Sequence, residues 1–174
     1  MEQEQDKNSR LRSQIQSLRS GNHSAILATL QEFRTQGNVS ILPDLFELLL
    51  NQENELITSE ITSMLNDLKD QDAVEMLTGA ISNPEFRNIQ APLVAACWQN
   101  GLSYGKFTDI FVEVVITGEY EAAIEAFTVI EEAVGDLEQV QRDRIVKTLK
   151  SRLSDMDKLK KPLLSELVKA IQTY

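Results

Sequence analysis

The sequence predicts an all-α protein, a right-handed α-α superhelix (solenoid) of about four to five antiparallel helix hairpins, on three observations. Gly and Pro number only 7 and 4 in 174 residues, roughly half the usual share of about 12%, so turns are too few for many short strands. Apolar residues recur at helical spacing along nearly the whole chain, and strand-like alternation is nearly absent. The connections between periodic segments are short, which packs consecutive helices as antiparallel neighbours. With 42% hydrophobic and 25% charged residues, the composition is that of an ordinary globular chain able to bury a core without disulfides or metal. One domain over 1–174 is expected: an N-terminal capping helix over 1–21, stacked hairpins over 22–153 and a C-terminal capping helix over 154–174.

Each helix has its own signals. Asp6–Arg19 places Leu11, Ile15 and Leu18 on one face and stops at Ser20-Gly21-Asn22. His23–Gln36 repeats the stripe with Ile26, Leu27, Leu30 and Phe33, with Gly37 as the residue past its end. Ser40–Asn51 is apolar at seven of the ten positions from Ile41 to Leu50, so it should be covered on most sides; Pro43 falls in its first turn, where no amide donor is needed. Asn54–Lys69 carries Ile57, Ile61, Met64, Leu65 and Leu68, and Asp72–Ser82 carries Val74, Met76, Leu77, Ala80 and Ile81. Asn83-Pro84 reads as an N-cap with Pro at the first helical position, opening a helix to Asn100-Gly101 that Pro92 is expected to kink. Tyr104–Thr117 is a second nearly all-apolar helix. Gly118 separates it from Glu119–Val134, Gly135-Asp136 supplies a stop and the next cap, and Leu137–Leu153 and Asp157–Gln172 complete the chain.

The helix-to-helix turns Leu50–Glu53, Ile81–Pro84 and Ile116–Glu119 lie 31 and 35 residues apart. At an offset of 34, Glu85-Phe86 falls on Glu119-Tyr120, Leu93 on Phe127 and Gly101 on Gly135. Two helices per roughly 33 residues is the length of a hairpin repeat, in which no hairpin covers its own apolar face and neighbours must stack. Here the chain resembles HEAT-type (HEAT/armadillo-like) repeats, especially the short bacterial form. In that family an aliphatic helix ends in a D-P-x-V-R-like step, and Asn83-Pro84-Glu85-Phe86-Arg87 stands in its place. The resemblance covers about Val39–Leu153 as a pattern and one repeat by motif; it implies that Arg87 points along the stack to pair with an acid such as Asp70 or Asp72. Gly118–Phe127 also resembles the second helix of a tetratricopeptide repeat. That family wants a small residue where this chain has Phe111, an aromatic near Val114 and an Ala where Ile130 stands.

Chemistry-bearing constellations are few. One cysteine, Cys97, excludes an intrachain disulfide and a cysteine-based zinc site, and one histidine, His23, excludes multi-histidine metal sites. Cys97 follows Leu93 by one helical turn and reads as a small core residue; His23 reads as a residue at a helix start. Glu121, Glu125 and Glu132 share one helical face with Thr128, a solvated stripe unless a cleft gathers the carboxylates. No metalloprotease, nucleophile-elbow, EF-hand or phosphate-loop motif occurs, so a non-enzymatic protein without cofactor or metal is expected. Trp98, Tyr104, Phe107 and Tyr120 fall around one repeat and, with Glu121 and Glu125, are the candidate docking site; packing between repeats is the plain alternative.

Charge placement is the most informative feature. The chain carries 17 basic and 27 acidic residues, a net charge of −10. Residues 21–141 hold 4 basic and 20 acidic groups, a net −16, whereas residues 142–174 hold 9 basic and 4 acidic, a net +5. Arg142, Arg144, Lys147 and Lys150, with Arg152, Lys158, Lys160 and Lys161, form a basic cap on an acidic body. Such a body is a poor phosphate binder, which disfavours a HEAT-like DNA-repair glycosylase or other nucleic-acid binder; only Lys106 is basic between Asn88 and Gln141. The expected role is a protein-binding scaffold for a protein or peptide of basic character, without nucleic acid or membrane, a homo-oligomer being compatible with it. The first twenty residues contain no apolar stretch, so the expected address is the cytoplasm.

Overall fold

Asparagine begins helical turns at four places in the computed structural model, which describes residues 2–36 and 38–174; the Asn22 side chain accepts from the amide of Ala25 at 3.1 Å. The Asn54 side chain accepts from the amides of Leu56 and Ile57, Asn38 from that of Ser40, and Asn83 from that of Glu85, each satisfying a donor that has no intrahelical partner. Among the described residues every regular element is helical: α1 (Glu2–Leu18), α2 (His23–Gln36), α3 (Leu42–Asn51), α4 (Glu55–Asn66), α5 (Ala73–Ser82), α6 (Gln90–Gln99), α7 (Thr108–Thr117), α8 (Tyr120–Ala133), α9 (Gln139–Arg152) and α10 (Lys161–Thr173). Gly37, expected to end the second helix, lies outside the described residues.

Several helices begin differently from the sequence expectation. Short 3₁₀ turns over Val39–Ile41, Pro84–Ile89 and Gly105–Phe107 precede α3, α6 and α7. The expected helix from Pro84 to Asn100 is therefore two pieces, broken at Ile89 (φ −113°, ψ 11°). Pro92 then sits in the first turn of α6, where its missing N–H leaves no bond unmade, and the expected mid-helix kink has no cause. Gly135-Asp136 belongs to a 3₁₀ turn over Val134–Asp136. The cap of α9 is instead Glu138, in a reciprocal box with Gln141.

Consecutive helices pack in pairs, α1 on α2, α3 on α4, α5 on α6, α7 on α8 and α9 on α10. Each also touches the helix two further on, so α2, α4, α6, α8 and α10 make one row of contacts and α1, α3, α5, α7 and α9 the other. The core lies between the rows. Ile57, Ile61, Leu77, Leu93, Phe111 and Leu164 are wholly buried, and truncating any one to Ala costs about 2–5 kcal/mol. Polar rungs join turns at separations near the offset of about 33 residues expected from the sequence: His23 Nδ1 with Asn54 Nδ2 (3.1 Å), Asn66 to Gln99 (2.8 Å), Lys69 Nζ to the Asn100 carbonyl (3.0 Å) and Gln71 to the Ser103 carbonyl (3.0 Å). These run 31 to 33 residues along the chain.

Candidate partner-binding surface

The four aromatic residues expected to mark a docking site do not form one cluster. Tyr104 is buried, stacks edge-on against Phe111 with centroids 5.7 Å apart, and its hydroxyl accepts from Asn100 Nδ2 at 2.9 Å. It is core packing, which corrects its assignment to a docking edge. Phe107 is half-buried against the core, and Tyr120 lies exposed at the start of α8. Trp98 is half-buried, and its indole N–H donates to Glu125 at 2.7 Å, tying α6 to α8. Glu125 is thus engaged, whereas Glu121 and Glu132 on the same helix are exposed. No group of three metal-ligating side chains occurs among the described residues.

Cys97 is buried, its thiol donates to the Leu93 carbonyl, and burial pushes it up to about 12, against a smaller opposing effect of the Tyr104 hydrogen bond. A thiol so protonated is no nucleophile at neutral pH. His23 is exposed at the start of α2, where its only hydrogen-bond partner among the described residues is Asn54.

The basic cap divides by what its side chains touch. Arg144 reaches from α9 to Asp109 on α7 at 2.7 Å. Arg142 donates to the Val134 carbonyl and to Gln139. Lys147 and Lys150 are exposed. Lys160, grouped with them on sequence, is instead buried: its ammonium donates to the carbonyls of Ile116 and Gly118, each at 2.8 Å. Arg87 donates to the Thr117 carbonyl between them. Two cations thus cap the C-terminus of α7, where the helix dipole and the unpaired carbonyls favour positive charge. This corrects the acid partners expected for Arg87; Asp70 instead accepts from the backbone N–H of Asp72. Burial pushes the Lys160 ammonium below the usual lysine range, Asp157 opposing and Arg87 adding to the fall.

The acidic body has little free positive charge. Of its four basic residues, Arg34 holds Glu60 and Asp67, Lys69 the Asn100 carbonyl and Arg87 the Thr117 carbonyl, which leaves Lys106. Clefts open between successive odd-numbered helices, with acids on their lips. The α1/α3 cleft, about 460 Å³, holds Arg19, Asp44 and Glu47; the α3/α5 cleft, about 260 Å³, holds Glu47 beside Phe46 and Phe86. The largest of these three, about 580 Å³, lies between α5 and α7 and is lined by Ile81, Pro84, Ile110 and Val114 with Arg87, Gln90, Asp109 and Glu113. Sequence reasoning passed over Gln90, Asp109 and Glu113. The spacing of Asp109 and Glu113, one helical turn on α7, was the available signal.

Among the described residues no helix is long and apolar enough to cross a membrane. Comparison with known proteins finds no matching family model, no similar curated protein and no similar solved structure.

Proposed function

We propose that this chain is a non-enzymatic α-solenoid scaffold that binds a protein or peptide of basic character on an acidic, repeat-built surface. The two rows of helices and the rungs between corresponding turns support the stacked-hairpin reading, a HEAT-like one by the Asn83–Arg87 step. The observation that carries the function is the electrostatic one: 20 acids against 4 bases over residues 21–141, with three of the four bases held in bonds inside the body. Such a surface attracts cationic partners and repels phosphate backbones.

Titrating the protein with a short lysine- and arginine-rich peptide, and separately with duplex DNA, tests the proposal. Peptide affinity should fall steeply between about 50 and 300 mM salt, because the exposed charges are screened over a Debye length that shortens from about 14 to 6 Å. Tight DNA binding at low salt, or a peptide affinity indifferent to salt, refutes the proposal.

A further inference from the structure

We infer that the cleft between α5 and α7 receives an arginine side chain from an extended segment of a partner protein, with Glu113 taking its guanidinium. The inference rests on the acidic-surface reading and gives that surface a site. The cleft floor is apolar, made by Ile81, Ile110 and Val114 with Pro84 at the edge, and it suits the aliphatic stem that arginine lays along apolar surface. Glu113 at the lip suits its head, since Arg87, which also lines the cleft, is turned to the Thr117 carbonyl.

A second observation points to a donor-bearing ligand. Gln90 lines this cleft and is 7% exposed; its Nε2 donates to the Ile81 carbonyl at 2.9 Å, and its Oε1 is buried with no hydrogen-bond partner. A buried acceptor left unpaired is unfavourable. This one lies beside Gly118, 3.2 Å from where a Cβ there would stand. A turn of the Gln90 amide toward the cleft would let an arginine fork or the peptide N–H beside it supply the donor. A carboxylate side chain offers none.

The chain itself shows such an acidic lip filled. In the α1/α3 cleft the Arg19 guanidinium donates to Asp44 at 2.8 Å and to Glu47 at 3.3 Å. Glu47 and Glu113 are the sixth residues of α3 and α7, so they occupy the same place two hairpins apart. In the α5/α7 cleft, however, Arg144 takes Asp109 and Arg87 is turned to the Thr117 carbonyl. Glu113 has no cation partner among the described residues. The planar fork of arginine fits this place better than the point charge of lysine, because it can serve a carboxylate and a second acceptor together.

The test measures fluorescence anisotropy of a labelled short peptide of alternating leucine and arginine, against the wild-type chain, Glu113→Gln and Glu131→Gln. Glu131 is exposed on α8, so both variants remove one surface charge. Glu113→Gln should weaken binding about tenfold, the size of one charge-assisted hydrogen bond, and Glu131→Gln by less than about twofold. The Val114 methyl and Gln90 side-chain amide resonances should shift on adding peptide. Equal losses in the two variants, or shifts confined to other residues, overturn the cleft assignment while leaving the acidic surface standing. A wild-type chain that does not bind the peptide overturns both, and equal binding of the peptide with glutamate in place of arginine does the same.

Discussion

Lys160→Met keeps the aliphatic stem and removes the ammonium that donates to the Ile116 and Gly118 carbonyls. A hydrogen bond involving a charged group contributes about 1.5–3 kcal/mol net. Two are lost, but the desolvation of the buried ammonium is relieved at the same time, and Arg87 remains on the Thr117 carbonyl. The expected loss is therefore about 2 kcal/mol, a fall in melting temperature of about 4–8 °C for a chain of this length. Thermal and urea unfolding followed by circular dichroism measure both. The pH dependence gives an independent sign. Burial lowers the folded-state pKa of Lys160 below 10.5, so between that lowered value and 10.5 the unfolded chain binds the proton more tightly. Wild-type stability relative to Lys160→Met should therefore rise with pH through this window, level off above 10.5 and be lost again as pH falls through the folded value. A variant melting within about 1 °C of wild type refutes the capping role, and a difference that shrinks as pH rises through that window refutes the burial-lowered pKa.

Three further outcomes are expected. A Cβ at Gly118 would stand 2.5 Å from the Val114 carbonyl oxygen and 3.0 Å from Val114 Cγ1, so Gly118→Ala should destabilise by about 1–3 kcal/mol through overpacking, read from urea midpoints; a neutral variant shows that α7 can give way. Glu125→Ala frees the indole N–H of Trp98, the single tryptophan. It should shift the fluorescence emission and cost about 1 kcal/mol, and an unchanged spectrum excludes the bond in solution. Cys97, pushed up to about 12 by burial, should be inert to Ellman's reagent at pH 8 in the folded chain and react at once in denaturant, since only about one thiol in ten thousand is ionised at that pH.

What was legible in the sequence was local. Apolar spacing located all ten described helices, and Asn83 announced its cap because a short amide side chain has few other uses before a helix. The offset of about 33 residues was visible in Leu93, Phe127 and the turns, and it returns as the separation of the polar rungs. The 3₁₀ starts were not legible: Pro84 and Gly105 promise a turn without saying how tight it is, so Pro92 was misplaced into a helix interior. Tyr104 and Lys160 were misread because an amphipathic side chain carries no mark of burial. Their fates depend on Asn100 four residues back and on carbonyls 44 and 42 residues back. Nor could Arg87 reveal that it serves a helix end instead of an acid. The α5/α7 cleft draws its walls from residues 81–90 and 109–117, a juxtaposition that only the packing of the two helices creates.

The rungs between turns have a mechanical meaning. Each ties a hairpin to the next one along, so tension on the chain ends is carried from neighbour to neighbour, and the structure should yield by peeling. Its two ends are fastened differently. The first hairpin is held to the third helix by Arg19, an exposed guanidinium on Asp44 and Glu47, whereas Lys160 anchors the last hairpin from inside. Water and salt loosen the first fastening and scarcely reach the second. Peeling should therefore start at α1 and travel toward the C-terminus, giving the stack a built-in direction of failure and leaving the basic end the last part to let go.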